Sequence, residues 1–112
     1  MTEVIYEQNC SDTELTVFGH CNAGRINGMD LCCCGVSMLV FTMLESLKVL
    51  KLHGFRHSYG GGWCHVKFES KGRDYKKAKC IIATIMNGFG LLQKKYPENV
   101  KIINPQKGAG DI

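Results

Sequence analysis

Residues 19–37 read GHCNAGRINGMDLCCCGVS, and this stretch decides the fold because it marks the passage from strand to helix. His20 ends a run of β-type residues, a loop with Gly24 and Gly28 follows, and Asp30 precedes a long apolar periodicity. Asp30 is an N-cap candidate that places Leu31, Cys32 and Cys33 at the first three helical positions. Val36, Leu39 and Val40, Met43 and Leu44, Leu47 and Leu50 recur at three and four residues. That spacing predicts an amphipathic helix running to about residue 53 and stopping at Gly54. In this phase Cys33 shares a face with Ser37, Val40 and Leu44, while Cys32 and Cys34 look to either side. A thiol at a helix N-terminus lies at the positive end of the macrodipole, which favours the nucleophilic thiolate. An imidazole beside it can take the thiol proton and later give it to a leaving group. With helix amides as candidate oxyanion donors, these are the elements of a cysteine hydrolase.

Upstream, residues 3–8 are β-type through Val4, Ile5 and Tyr6, and residues 9–12 carry turn chemistry. Residues 14–19 alternate again, with Leu15 and Val17 on one side, which predicts a hairpin whose second strand delivers His20. Downstream, residues 55–62 read as a loop around RHSYGGG. Residues 63–69 predict a strand with Cys64, Val66 and Phe68 on one side and Trp63 and Lys67 on the other. Asp74 is a candidate cap for a second helix, whose buried stripe is Ala78, Ile81/Ile82, Ile85/Met86, Phe89, Leu92 and Tyr96. Gly88 and Gly90 each cost that helix up to about 1 kcal/mol against alanine, which predicts close packing at both. Pro97 ends it, residues 100–103 form a last strand, and residues 105–112 read as a loose tail. The order β-β-α-β-α-β predicts an α+β sandwich, a small, mostly antiparallel sheet packed on two long helices, as one domain over residues 1–104. Four short strands leave exposed edges, so a homodimer is expected.

Composition narrows the function classes. The chain has 112 residues, of which 45% are apolar and 21% charged, the balance of a soluble globular protein. The apolar run 31–44, interrupted by Ser37 and Thr42, falls short of about 18 residues, so no membrane span is expected. The N-terminus MTEVIYEQ has no basic region before an apolar block and does not read as a secretory signal. Seven cysteines, three of them consecutive, make a poor disulfide framework, and the economical expectation is free thiols in a reducing cytoplasm. Cys21, Cys64, His20 and His65 could converge on zinc, but no C-x-x-C pair is present, and no metal or organic cofactor is expected. The net charge of +4 concentrates at residues 71–79 and 94–101, the pattern of a solvated helix face or of attraction to RNA or a ribosomal surface. Without RNP-type aromatics or a GXXG loop, direct nucleic-acid binding is not expected. The rival class is therefore a non-enzymatic, basic ribosome- or RNA-associated adaptor.

Gly19-His20, a glycine-bearing loop and then Asp30-Leu31-Cys32-Cys33-Cys34-Gly35-Val36-Ser37 resemble the ribosomal-processing cysteine protease (Prp) family. Its pattern is G-H, a short loop, then D-x-x-C, two small residues, one more and serine. Gly61-Gly62-Trp63-Cys64-His65-Val66 is similar to the family's GG-x-x-h-h strand entry, and Tyr96-Pro97-Glu98-Asn99-Val100 to its Y-P-x-x-[IV] helix ending. The resemblance implies a homodimeric β-β-α-β-α-β protease with a Cys/His dyad and no cofactor. Its implied substrate is the N-terminal extension of a large-subunit ribosomal protein precursor, the twenty-seventh of the L series; a phage structural protein is the alternative. By the same resemblance His20 is the catalytic histidine and Cys33 the nucleophile, with Asp30, Ser37 and Gly19 in support. The loop from His20 to Cys33 is one residue longer than the family's, and Cys33 is assigned over Cys32 because an inserted loop residue costs little while a helix phase is fixed. Cys32 and Cys34 stand where relatives carry a hydrophobic and a small residue, which bears on redox sensitivity.

Several residues carry milder expectations. The loop 21–29, with Gly24 and Gly28, is either a connection or a flap over the peptide, and Gly61 and Gly62 give a substrate backbone room. Ser37 is expected to bond back to a helix carbonyl or to support the dyad. His53, His57 and His65 are expected to be structural or surface residues, and Cys10 and Cys80 small packing residues.

Overall fold

The computed structural model describes residues 1–104; the expected tail at 105–112 lies outside the described residues. The elements are β1 (Thr2–Gln8), β2 (Asp12–Phe18), α1 (Leu31–Lys48), β3 (Arg56–Gly60), β4 (Trp63–Glu69), α2 (Tyr75–Lys95) and β5 (Val100–Ile103). The sheet runs β3-β4-β2-β1-β5. Every pairing is antiparallel except that of β5 with β1. Register aligns the inward-facing residues: Val4 lies opposite Val17 and Ile102, and Leu15 lies opposite Val66.

Alternation in β1, β2 and β4 is the period-2 signature of a half-covered sheet. Val4, Leu15, Val17, Cys64, Val66 and Phe68 point to the helices and are buried. Against them pack Val40, Met43, Leu44 and Leu47 of α1 and Ala78, Ile82, Ile85 and Phe89 of α2. The helices run antiparallel, and two glycines set their approach. A Cβ at Gly35 would lie 3.0 Å from Leu92, and one at Gly88 would lie 2.5 Å from Leu39. Close packing therefore holds at Gly88 but not at Gly90, whose Cβ position has no neighbour within 4 Å.

The α+β class stands, with a fifth strand where a loop was expected: the order is β-β-α-β-β-α-β. All five residues of β3 are exposed, so this edge strand has no buried face to produce an alternating pattern. It is held by pairing with β4 across the two-residue turn Gly61-Gly62. Helix α1 ends at Lys48, short of residue 53, while Leu50 and Leu52 continue to pack on the core from the following turn. Asp74 does not cap α2 with its side chain. Its carboxylate instead accepts from the Lys51 amide at 2.8 Å, tying the segment after α1 to the start of α2. The whole of α1 is long and apolar enough by composition to cross a membrane, yet here it lies on the sheet with its apolar stripe in the core. Cys10 and Cys80 are exposed rather than packed. His57 is exposed and tilts against Phe55 at 5.1 Å.

Candidate active site

His20 follows β2 across a sharply constrained glycine. Gly19 has φ +96°, and a Cβ there would meet the Met1 carbonyl oxygen at 2.2 Å. Its amide donates to the Gly62 carbonyl at 2.8 Å, and its own carbonyl accepts from the Thr2 hydroxyl at 3.1 Å. Strands β1 and the β3–β4 turn thus fix the residue before His20. Gly62, at φ +81°, also backs the imidazole: a Cβ there would lie 2.9 Å from His20 Nε2. Gly61, by contrast, has open space at its Cβ position.

The loop between His20 and α1 is built rather than loose. At its base the Asn99 side chain donates to the carbonyls of Cys21 and Asn22 at 3.0 and 3.2 Å. Asp30 closes the other end. Its Oδ1 accepts from the Cys33 amide at 3.1 Å and its Oδ2 from the Ala23 amide at 2.9 Å. At the tip, Ile26 and Met29 exchange backbone hydrogen bonds around Asn27 (φ 54°) and Gly28 (φ 82°). Two successive left-handed residues in Asn-Gly are the type I′ hairpin turn. The Arg25 guanidinium donates to the Gly28 carbonyl at 2.7 Å.

Helix phase separates the three consecutive thiols. Cys32 is fully buried, Cys33 half-buried and Cys34 exposed. Cys33 and His20 line the same open groove of about 960 Å³, with Gly24, Gly28, Asp30 and Ser37 also on its walls. Both also line an adjoining pocket of about 170 Å³ that reaches Gly19, Gly62 and the aromatic pair Phe41 and Tyr59. Those two rings meet edge to face at 5.4 Å, joining β3 to α1. No hydrogen bond joins the exposed His20 ring to the Cys33 thiol among the described residues. Ser37, one turn after Cys33, is exposed in the groove, and the expected back-bond from its hydroxyl is absent among the described residues.

Two electrostatic facts bear on the chemistry. Burial pushes the Cys33 thiol above its ordinary value, with the neighbouring Cys21 side chain and Asp30 adding to the rise, although the Cys21 amide opposes it. The Asp30 carboxyl is held below its ordinary value by the amides of Cys33 and Ala23. These shifts favour the thiol over the thiolate at Cys33, so attack by its sulfur calls for a base. The expected oxyanion donors also change. The Cys33 amide is taken by the Asp30 side chain and the Cys34 amide by the Asp30 carbonyl at 3.0 Å.

Among the described residues no group of three side chains is placed to hold a metal ion. The four residues considered for zinc do not converge: Cys64 faces the helices, while His65 lies on the opposite sheet face against Glu14. Sequence reasoning missed Asn99, Thr2 and the backing role of Gly62. Asn99 is 78 residues from the Cys21 carbonyl it holds and falls on an unspecified position of the Y-P-x-x-[IV] pattern, so no local signal marked it.

Comparison with known proteins follows the same geometry. The profile of the family described as cysteine protease Prp matches residues 1–101. Among solved structures, the essential ribosomal processing protease Prp from S. aureus, in complex with a covalently linked product peptide, aligns with a TM-score of 0.78. Identity is 23%, covering 93% of this chain and 99% of that one. The S. aureus protein with a substrate peptide aligns at a TM-score of 0.70 and 20% identity, over 93% and 99% of the two chains. SMU.848 from Streptococcus mutans aligns at 0.64 and 21% identity, over 93% and 95%. No curated protein sequence matches the chain.

Proposed function

The chain belongs to the cysteine protease Prp family, and on that premise we propose that it removes the N-terminal extension of a large-subunit ribosomal protein precursor, with Cys33 as nucleophile and His20 as general base. The observation that carries this is the meeting of Cys33, from the first turn of α1, and His20, from the end of β2, on one peptide-sized groove. That the S. aureus relative is a ribosomal processing protease seen with substrate and covalently linked product peptides supports both the substrate class and a covalent route.

Because Cys33 rests as a thiol, His20 takes its proton as the sulfur attacks the scissile carbonyl. The developing oxyanion meets the Ser37 hydroxyl, which lines the groove and makes no hydrogen bond among the described residues, and loop amides, since Asp30 holds the amides of Cys33 and Cys34. Protonated His20 then gives its proton to the leaving amine. Water, deprotonated by the same imidazole, releases the acyl group from sulfur. The loop 21–29, hinged between Asn99 and Asp30, acts as the flap over the peptide. Seven free thiols support a cytoplasmic setting, and the unpaired outer edges of β3 and β5 support a homodimer.

The test is cleavage of a peptide spanning an extended ribosomal-protein N-terminus, under reductant and EDTA. Cys33→Ala and His20→Ala should each lose activity, the latter by about 10²–10⁴-fold, while Cys32→Ala keeps it once folding is verified. Retained activity in Cys33→Ala would overturn the assignment. Cleavage of phage structural peptides in place of ribosomal ones would overturn the substrate.

A further inference from the structure

The fold brings a second thiol to Cys33 from outside its helix. Cys21, immediately after His20, is 1% exposed and forms a buried cluster with Cys32 and Val100, on which Cys33 packs. Cys33 thus lies against the pair of buried thiols, and the Cys21 side chain is near enough to help push the Cys33 thiol up. The Thr2 hydroxyl fixes the Cys21 sulfur from the other side at 3.1 Å. Only Cys33 of this trio opens onto the groove. Of these three thiols, an oxidant entering there reaches Cys33 before the buried Cys21 and Cys32.

We propose that Cys21 is a resolving cysteine: a hydroperoxide oxidises Cys33, and Cys21 then closes a reversible disulfide with it that switches the protease off. The inference rests on Cys33 being the nucleophile. In the first step the Cys33 thiolate attacks one peroxide oxygen, the O–O bond breaks, and water or an alcohol leaves with the thiol proton. Cys33 is then a sulfenic acid. The Cys21 sulfur attacks the Cys33 sulfur, the S–O bond breaks, and hydroxide leaves as water with the Cys21 proton. Two thiols are thereby oxidised and one peroxide reduced. A dithiol reverses the bond by exchange.

Geometry selects Cys21 over the nearer neighbours in sequence. Adjacent helical residues point about 100° apart, so Cys32 and Cys34 cannot pair with Cys33 without unwinding the first turn that Asp30 caps. Cys21 lies on a loop segment outside the helix, in the cluster on which Cys33 packs, so the two sulfurs can close to the S–S length of about 2.05 Å without unwinding α1. The disulfide removes the nucleophile, fastens the residue after His20 to α1, and shields Cys33 from irreversible oxidation to sulfinic acid.

The test treats wild type with hydrogen peroxide, blocks remaining thiols with N-ethylmaleimide, and maps non-reduced tryptic peptides by mass spectrometry. Cleavage after Arg25 places Cys21 and Cys33 on separate peptides. The expected result is a Cys21–Cys33 cross-link, loss of peptide cleavage, and return to near the starting rate with dithiothreitol. Cys21→Ser, normalised to its own initial rate, should lose cleavage without recovery and carry a sulfinic Cys33. Cys32→Ser should remain reversible, which separates pairing from general damage to the cluster. Irreversible oxidation of wild type, or a cross-link from Cys33 to Cys32 or Cys34, would overturn the proposal. A Cys21–Cys33 cross-link with cleavage intact would instead overturn Cys33 as the nucleophile, and the switch with it.

Discussion

Alanine at Gly62 should damage catalysis through His20, while alanine at its neighbour Gly61 should not. Gly62 sits at φ +81°, where a residue with a Cβ pays about 1–2 kcal/mol. Alanine recovers about 0.4–1 kcal/mol by stiffening the unfolded chain, leaving a net loss near 1 kcal/mol. For a domain of this size that is about 4–8 °C in melting temperature. The larger effect is local. The new Cβ would stand 2.9 Å from His20 Nε2 and 3.1 Å from Cε1, whereas ordinary contact starts at 3.4 Å. The imidazole must retreat by about 0.5 Å, and since a misplacement near 1 Å costs about 100-fold in rate, kcat/KM should fall about tenfold. At Gly61 neither a positive φ nor a neighbour opposes the methyl. Peptide-cleavage kinetics and thermal melts on the two variants form the assay. Equal kcat/KM in both would refute the claim that Gly62 positions the histidine.

Gly90→Ala should stabilise the protein by about 0.5–1 kcal/mol, because the site is helical, has φ < 0 and has no neighbour within 4 Å; an unchanged or lower urea midpoint would contradict the open site. Alkaline pH should destabilise the fold through Cys64, whose thiol is 2% exposed and pushed up by burial from 9.0 to about 11. The unfolded chain releases that proton first, so stability is full below about pH 9 and declines as pH rises toward 11, by about 2–3 kcal/mol at 1.4 kcal/mol per pH unit. Urea midpoints across that window should fall in wild type and fall less in Cys64→Ala; equal slopes would exclude the cysteine as the cause. Alkylation of Cys33 by iodoacetamide, followed by peptide mapping, should keep accelerating above pH 9, because burial raises the thiol. A rate already level at pH 7 would reveal a preformed thiolate instead.

What the sequence disclosed depended on whether a residue's neighbours imposed a period on it. Strands β1, β2 and β4 each bury alternate residues, so their patterns were legible from Val4, Leu15, Val17, Val66 and Phe68. Strand β3 buries none, and RHSYG with its glycine turn looks like a loop until the β4 edge is there to pair with it. The end of α1 was overrun because Leu50 and Leu52 still face the core after the helix has stopped. Asp30 was legible as a cap since capping is local, and the structure adds its second bond to Ala23. Asp74 has the same local signature, but a distant partner, the Lys51 amide, claims its carboxylate. Helix phase alone separated Cys33 from Cys32 and Cys34. The convergence of Cys21 on Cys33, the Asn99 clamp and the Gly62 backing all join segments far apart in the chain, and no local pattern encodes them.

The central claim, Cys33 as the acyl-accepting nucleophile, is tested most directly by catching the covalent intermediate. Wild type is mixed with the extended ribosomal-protein peptide, quenched in acid within the first turnovers, digested and fragmented in the mass spectrometer. The account predicts a substrate-derived acyl group on the peptide holding Cys32, Cys33 and Cys34, located by fragmentation on Cys33 and absent from Cys33→Ala. An acyl group on Cys32 or Cys34, or full cleavage with none on any cysteine, would contradict it.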